Sequence, residues 1–227
     1  MMLPTFLSTV FLLLLSTPNA RAQQQDISQL VGTWSSGTKA VQTGAGFANP
    51  VTYSFNYPNV TGISYSFTAD GYFEEAQYRF NSNATQPKCI TGVVIWQHGK
   101  FQLQPNGSIT ITPFAGDGRI QVQDPCAAVS NIITEYNQWE IFNWWYIGQD
   151  VSRGKYLQLY GFNGAPEPPM YLVANPPNML PTQQLTNATS PKSRKRSVNA
   201  SLRDLDVGRA GGVGMAAVAL GLIALML

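Results

Sequence analysis

Ile63-Ser-Tyr-Ser-Phe-Thr-Ala-Asp-Gly-Tyr-Phe-Glu-Glu-Ala-Gln-Tyr-Arg-Phe80 is the stretch whose reading decides the fold. Ile63, Tyr65 and Phe67 alternate with Ser64, Ser66 and Thr68, a period of two that makes one face apolar and the other wet. Asp70-Gly71 follows, a pair that tolerates positive φ and suits a tight hairpin turn. The return run sets Tyr72, Glu74, Ala76, Tyr78 and Phe80 on one face, and Phe73, Glu75, Gln77 and Arg79 on the other. The spacing predicts a β-hairpin.

The same texture extends in both directions. Leu30–Ser36 reads as a first strand, and Gly37–Pro50 as a glycine-rich loop. Ile90–Trp96 is apolar and β-branched, with Gly99 expected to break it before Lys100–Gln104. Ser108–Thr112, the Ile120/Val122 pair, Lys155–Phe162 and Met170–Val173 alternate again, with turn signals between them. Trp139–Ile147 reads as one strand apolar on both faces: Trp139, Ile141, Asn143, Trp145 and Ile147 on one, Phe142, Trp144 and Tyr146 on the other. Such a strand is either buried twice or leaves one sticky face exposed. Many short strands without a helical period predict an all-β domain, a single antiparallel β-barrel or closed β-sandwich. Gly32-x-Trp34 matches the start of a lipocalin-like barrel.

The ends read as targeting segments. Residues 1–22 carry an apolar run at Val10–Leu15 and a small-x-small site at Ala20-Arg21-Ala22, the pattern of a secretory signal. Residues 23–182 are the expected folded body, and 183–209 a polar flexible linker holding Lys192-Ser-Arg-Lys-Arg196. Residues 210–227 contain no charge and as a helix would span about 27 Å, about the thickness of an endoplasmic reticulum bilayer core. That segment fits a transmembrane helix or a GPI signal. Five N-x-S/T sequons, at Asn59, Asn83, Asn106, Asn187 and Asn199, agree with passage through the secretory pathway. In that oxidising compartment Cys89 and Cys126 are expected to form one disulfide, whose loop of about 37 residues stabilises the fold by about 3–4 kcal/mol.

Enzyme signatures are absent. A net charge of +2 makes no field for nucleic acid, so no nucleic-acid partner is expected. His98 is the only histidine, there is no G-x-S-x-G elbow, and no phosphate-binding loop or dinucleotide fingerprint is present. Glu74 and Glu75 are adjacent on one strand and face opposite ways, so they cannot form a catalytic carboxylate pair. The expectation is no catalytic residue, no metal and no cofactor. The aromatic residues Trp139, Phe142, Trp144, Trp145 and Tyr146 are the candidate client-binding or sugar-stacking surface.

Several motifs together resemble the fungal "reversal of Tor lethality" family. They are Gly32-Thr-Trp-Ser-Ser36, Thr43-Gly-x-Gly-Phe47 with Pro50-Val51, Gly62-x-Ser-Tyr-Ser-Phe-Thr68 and Asp70-Gly71-x-x-Glu74-Glu75-Ala76. Gln97-His98-Gly99, Gly116-Asp-Gly-Arg119, Asp124-Pro-Cys126, Leu157-Gln-Leu-Tyr160 and Met179-Leu-Pro-Thr182 follow in the family's order. The resemblance implies a glycosylated, single-pass type I protein of the endoplasmic reticulum membrane with its domain in the lumen. It implies a chaperone whose partners are unfolded or folding secretory proteins, among them proteins of cell-wall 1,6-β-glucan synthesis, and no catalytic residue. A GPI-anchored surface protein that binds glycans is the alternative.

Overall fold

A computed structural model describes residues 26–186. The expected signal segment, most of the linker, the apolar C-terminal segment, Asn187 and Asn199 lie outside the described residues. Among those described, no helix is long and apolar enough to cross a membrane.

The domain is all-β and antiparallel. After a single 3-10 turn at Ile27–Gln29 come β1 (Gly32–Ser36), the two-residue strands β2 (Ala48–Asn49) and β3 (Ser54–Phe55), β4 (Gly62–Phe67) and β5 (Tyr72–Asn81). Then follow β6 (Thr91–Leu103), β7 (Ile109–Pro113), β8 (Arg119–Gln123), β9 (Asn131–Glu135), β10 (Glu140–Phe142), β11 (Trp144–Asp150), β12 (Gly154–Tyr160) and β13 (Met170–Ala174). The expected hairpin is β4–β5, with Phe67 opposite Phe73 across the Asp70-Gly71 turn. The main sheet runs β10-β7-β6-β5-β4-β1-β13-β12-β11, with β8 also on β6 and β9 on β8.

β6 is the longest strand, and its second edge forks. Gly92–Trp96 pairs with β8, and Gly99–Leu103 with β7, while β5 runs along the other edge from Thr91 to Lys100. Gly99 was expected to end the strand, yet the strand passes straight through it. A Cβ there would lie 2.3 Å from the Thr112 carbonyl oxygen and 2.7 Å from Pro113 Cα. Glycine lets β7 approach at the fork; it does not interrupt the ladder.

The stretch read as one strand at Trp139–Ile147 is two. β10 pairs with β7 and β11 with β12, at opposite ends of the sheet, and only Asn143 lies between them. The sheet is therefore not closed into the expected barrel by hydrogen bonds. Its two edges are consecutive pieces of chain, which cannot lie side by side as a ladder. Asn143 anchors the corner through its backbone N–H to the Tyr160 carbonyl, 3.0 Å away. The corner also resets the alternation, so Phe142 and Trp145 both point inward.

The inner face encloses one apolar cluster. Trp34, Tyr65, Phe67, Phe73, Phe101, Ile109, Ile111, Phe142, Trp145, Leu157, Leu159 and Met170 meet there, drawn from every strand along the main path. A second cluster lies on the outer face of β5 and β6, where Ala76, Tyr78, Val94 and Trp96 are covered by Val41, Phe47, Leu180 and Leu185. The covering pieces are the loop after β1 and a closing segment, residues 175–186. The fork predicts one sharp sensitivity. Gly99→Ala should lower unfolding free energy by about 1–3 kcal/mol, the usual cost of overpacking, in urea denaturation followed by tryptophan fluorescence; an unchanged midpoint would show that β7 can move away.

Candidate functional site

Three polar or aromatic assemblies are candidates for function. The first lies under the closing segment. Glu74 is fully buried on the outer face and accepts from Gly44 N at 2.6 Å, Trp96 Nε1 at 2.9 Å and Leu180 N. Gly44 has φ +102°, and a Cβ there would meet Asn178 Oδ1 at 2.6 Å, so only glycine admits the closing segment so near. Asn178 is held in turn: its carbonyl accepts from Thr43 Oγ1 at 2.7 Å and Ser66 Oγ at 3.0 Å, and its N–H donates to Thr33 Oγ1. Farther along, Asp117 accepts from the backbone N–H groups of Leu185 and Thr186 at 2.7 and 2.8 Å.

His98 belongs to the same assembly. Its Nε2 lies 2.8 Å from Asp117 Oδ2, and its ring packs between Trp96 and Phe114. Burial lowers the His98 pKa, outweighing the pull of Asp117. Burial would raise Asp117, but hydrogen bonds from Thr186, His98 and the Leu185 and Thr186 backbone hold it low. A neutral ring with its proton on Nε2 satisfies this contact, leaving buried Nδ1 without a hydrogen-bond partner. The histidine, through Asp117, thus helps to tie down the segment at Leu185 and Thr186.

The second assembly is on the inner face. Glu75 accepts from Tyr65 OH at 2.9 Å, from Gln97 Nε2 at 2.7 Å and from Gln77 Nε2. The same Gln97 Nε2 donates to Glu140 Oε1 at 3.2 Å, so the two carboxylates share one amide and lie within 6 Å of each other. Burial raises Glu75. Burial, then the charges of Glu75 and Glu167, push Glu140 up to about 9. Burial also lifts Glu74 to about 7 against the N–H groups that favour its charge. The opposed parity of Glu74 and Glu75 is as the sequence indicated. The Glu75–Glu140 pair was not legible there, because it depends on β10 lying against β7. It has a catalytic pair's spacing, but Glu75 is fully buried and saturated by amides and a phenol. Its arrangement fits a structural clasp, and no cluster of three or more metal-ligating side chains occurs among the described residues.

The third assembly is aromatic and open. Trp139, Trp144 and Tyr146 are 54%, 50% and 38% exposed. Phe142 and Trp145, grouped with them from sequence, are buried in the inner core and cannot meet a partner without unfolding. Tyr146 instead neighbours Tyr156 and Tyr160, with ring centroids 6.0 and 6.4 Å apart. Tyr156 lies over Gly148, where a Cβ would touch its ring. These two tyrosines were missed because the partner strand supplies them; their alternation at 156, 158 and 160 was the available signal. The Cys89–Cys126 disulfide is formed, with Cα atoms 5.6 Å apart. Asn59, Asn83 and Asn106 are all exposed.

A family model described as a fungal chaperone for protein folding within the endoplasmic reticulum, Rot1, matches residues 30–210. The protein named Protein rot1 of Neosartorya fischeri is 44% identical over 185 residues, covering 81% of this chain and 78% of its own length. That of Aspergillus oryzae is 47% identical, covering 79% and 75%. That of Schizosaccharomyces pombe is 45% identical, covering 74% and 72%. No solved structure matches the chain.

The inner carboxyl pair sets a pH dependence. A carboxyl whose pKa is raised on folding adds stability below its unfolded pKa, and that stability is lost as pH climbs through the folded value. For Glu140 the loss extends from about 4.5 to about 9. The melting temperature should therefore fall from about pH 5 to about pH 9, and Glu140→Gln should flatten that fall, matching the parent near pH 4 and exceeding it at pH 8. Parallel melting curves for the two proteins would mean that Glu140 does not hold its proton.

Proposed function

The chain belongs to the fungal Rot1 family of chaperones for protein folding within the endoplasmic reticulum, and on that premise we propose that it holds unfolded secretory polypeptides without using nucleotide. The observation that carries this reading is the exposure of the large aromatic side chains Trp139, Trp144 and Tyr146. Apolar area left in water offers a collapsing chain a sequence-tolerant surface. The absence of any phosphate-binding motif supports binding by exposure alone.

The apolar segment 210–227 tethers the domain to the membrane of the endoplasmic reticulum, domain in the lumen, through the polar linker 183–209. Glycans on exposed Asn59, Asn83 and Asn106 keep the remaining surface soluble. Clients include proteins that build cell-wall β-glucan, which makes the effect on the wall indirect. The buried carboxyl assemblies are structural, so the protein is not an enzyme.

The test uses the full-length, oxidised, glycosylated chain in detergent, added without ATP to a chemically denatured secretory enzyme while light scattering is followed. Suppression should appear at up to equimolar ratio. The double replacement Trp144→Ser with Tyr146→Ser should weaken it several-fold while the domain still unfolds cooperatively, since neither side chain belongs to the buried core. A parent protein that leaves aggregation untouched, or that binds β-glucan instead, would overturn the chaperone reading for this chain.

A further inference from the structure

β9 is an edge strand, and its free side has an unusual composition. In an antiparallel ladder successive residues point their main-chain groups alternately toward and away from the partner. The Ser130 carbonyl and the Tyr136 N–H are both engaged on the β8 side, by Asp124 and Gly118. Residues 132 and 134 share that parity. Asn131, Ile133 and Glu135 therefore turn their N–H and C=O groups outward, and among the described residues no strand pairs with them. Edges of soluble sheets are ordinarily guarded by lysine, proline or a bulge. Asn131-Ile-Ile-Thr-Glu135 has no proline, no basic residue and an unbroken register, and Ile132 is exposed beside it.

A shallow, open and mainly apolar cavity of about 340 Å³ lies at the start of this edge. Phe80, Ile90, Gly92 and Pro125 line it together with Asn131, the first residue of β9. Phe80 and Ile90 are themselves exposed, and no charged side chain borders the space. At the other end, β9 leads within four residues to exposed Trp139, so cavity, edge and aromatic surface follow one another along the chain. Glu135 adds negative charge at that end. The chain's own remainder is a poor occupant: residues 187–209 are polar in sequence, and the apolar segment beyond them is expected in a membrane.

We propose that β9 receives an extended segment of an unfolded client as an added strand, with one apolar client side chain seated in the Phe80–Ile90 cavity. This rests on the chaperone reading and deepens it. The outward groups of Asn131, Ile133 and Glu135 recognise main chain, which every unfolded polypeptide presents, so the edge itself sets no sequence requirement. The uncharged cavity and Glu135 select an apolar stretch with a basic flank. Strand addition is the recognition mode in which main-chain hydrogen bonds supply affinity and pockets for alternate side chains supply preference.

The probe is a fluorescein-labelled peptide of alternating valine and threonine flanked by lysines, and its twin N-methylated at every residue of the valine–threonine run. Methylation removes the main-chain donors on both edges and leaves the side chains intact. Fluorescence anisotropy with the full-length protein should show binding of the first peptide, weakened about tenfold or more in the twin, as expected for several lost hydrogen bonds. Ile133→Pro removes an outward N–H without touching the β8–β9 ladder and should reduce binding and aggregation suppression alike, whereas Val151→Ser at the exposed turn between β11 and β12 should change neither. Equal binding of both peptides by the parent protein would overturn strand addition, and needs no variant to fold. Full suppression by a folded Ile133→Pro would also overturn it while leaving the chaperone reading in place. A parent protein that suppresses nothing would remove both.

Discussion

Two adjacent carboxyl groups buried on opposite faces of one strand are the constraint that the rest of this domain answers to. Glu74 and Glu75 are both fully inaccessible, and a carboxylate removed from water is costly unless donors surround it. Among the described residues no arginine or lysine is paired with either of them in a salt bridge; amides, an indole, a phenol and backbone N–H groups supply the donors. On the outer face this demand brings in Gly44 and Leu180, and with them the loop after β1 and the closing segment. On the inner face it fixes Tyr65, Gln77 and Gln97 and, through Gln97, the first residue of β10. A strand of modest sequence thereby organises both sides of the sheet.

The outcome is an outer face divided in two. Over β5 and β6 it is covered, and Trp96, Val94 and Tyr78 form a second core there. Over β11 it is open, with Trp144 and Tyr146 exposed beside Tyr156 and Tyr160, while Gln158 of β12 is buried and bonded to Glu167. The disulfide and the closing segment stiffen the covered part. A holding chaperone requires this combination, because a sticky surface is safe only on a scaffold that does not open its own core.

The motifs that carry the family resemblance gather around the closing segment. Thr43-Gly44, Ser66, Glu74, His98, Asp117 and Met179–Thr182 are far apart in sequence and converge on one hydrogen-bonded assembly. Such a set of polar residues invites a catalytic reading. Here the hydrogen bonds run to protein backbone and between the side chains themselves, and the assembly fastens the segment that leads on to the linker.

Much of the architecture follows from local pattern alone. Alternation marked the β4–β5 hairpin, the opposite facing of Glu74 and Glu75, and nearly every strand, because a period of two is a property of the extended chain itself. What the chain could not declare locally depends on which strands become neighbours. Gly99 resembles a breaker until β7 is seen pressing on it. Trp139–Ile147 resembles one strand until β7 and β12 claim its two halves and Asn143 turns the corner. The same corner sends Phe142 and Trp145 inward while Trp144 and Tyr146 remain outside. Glu140 meets Glu75 only through long-range pairing, so no spacing in the sequence could have announced it. Periodicity encodes the alternation of faces; only tertiary packing decides which face is covered, and therefore which residues are left to act.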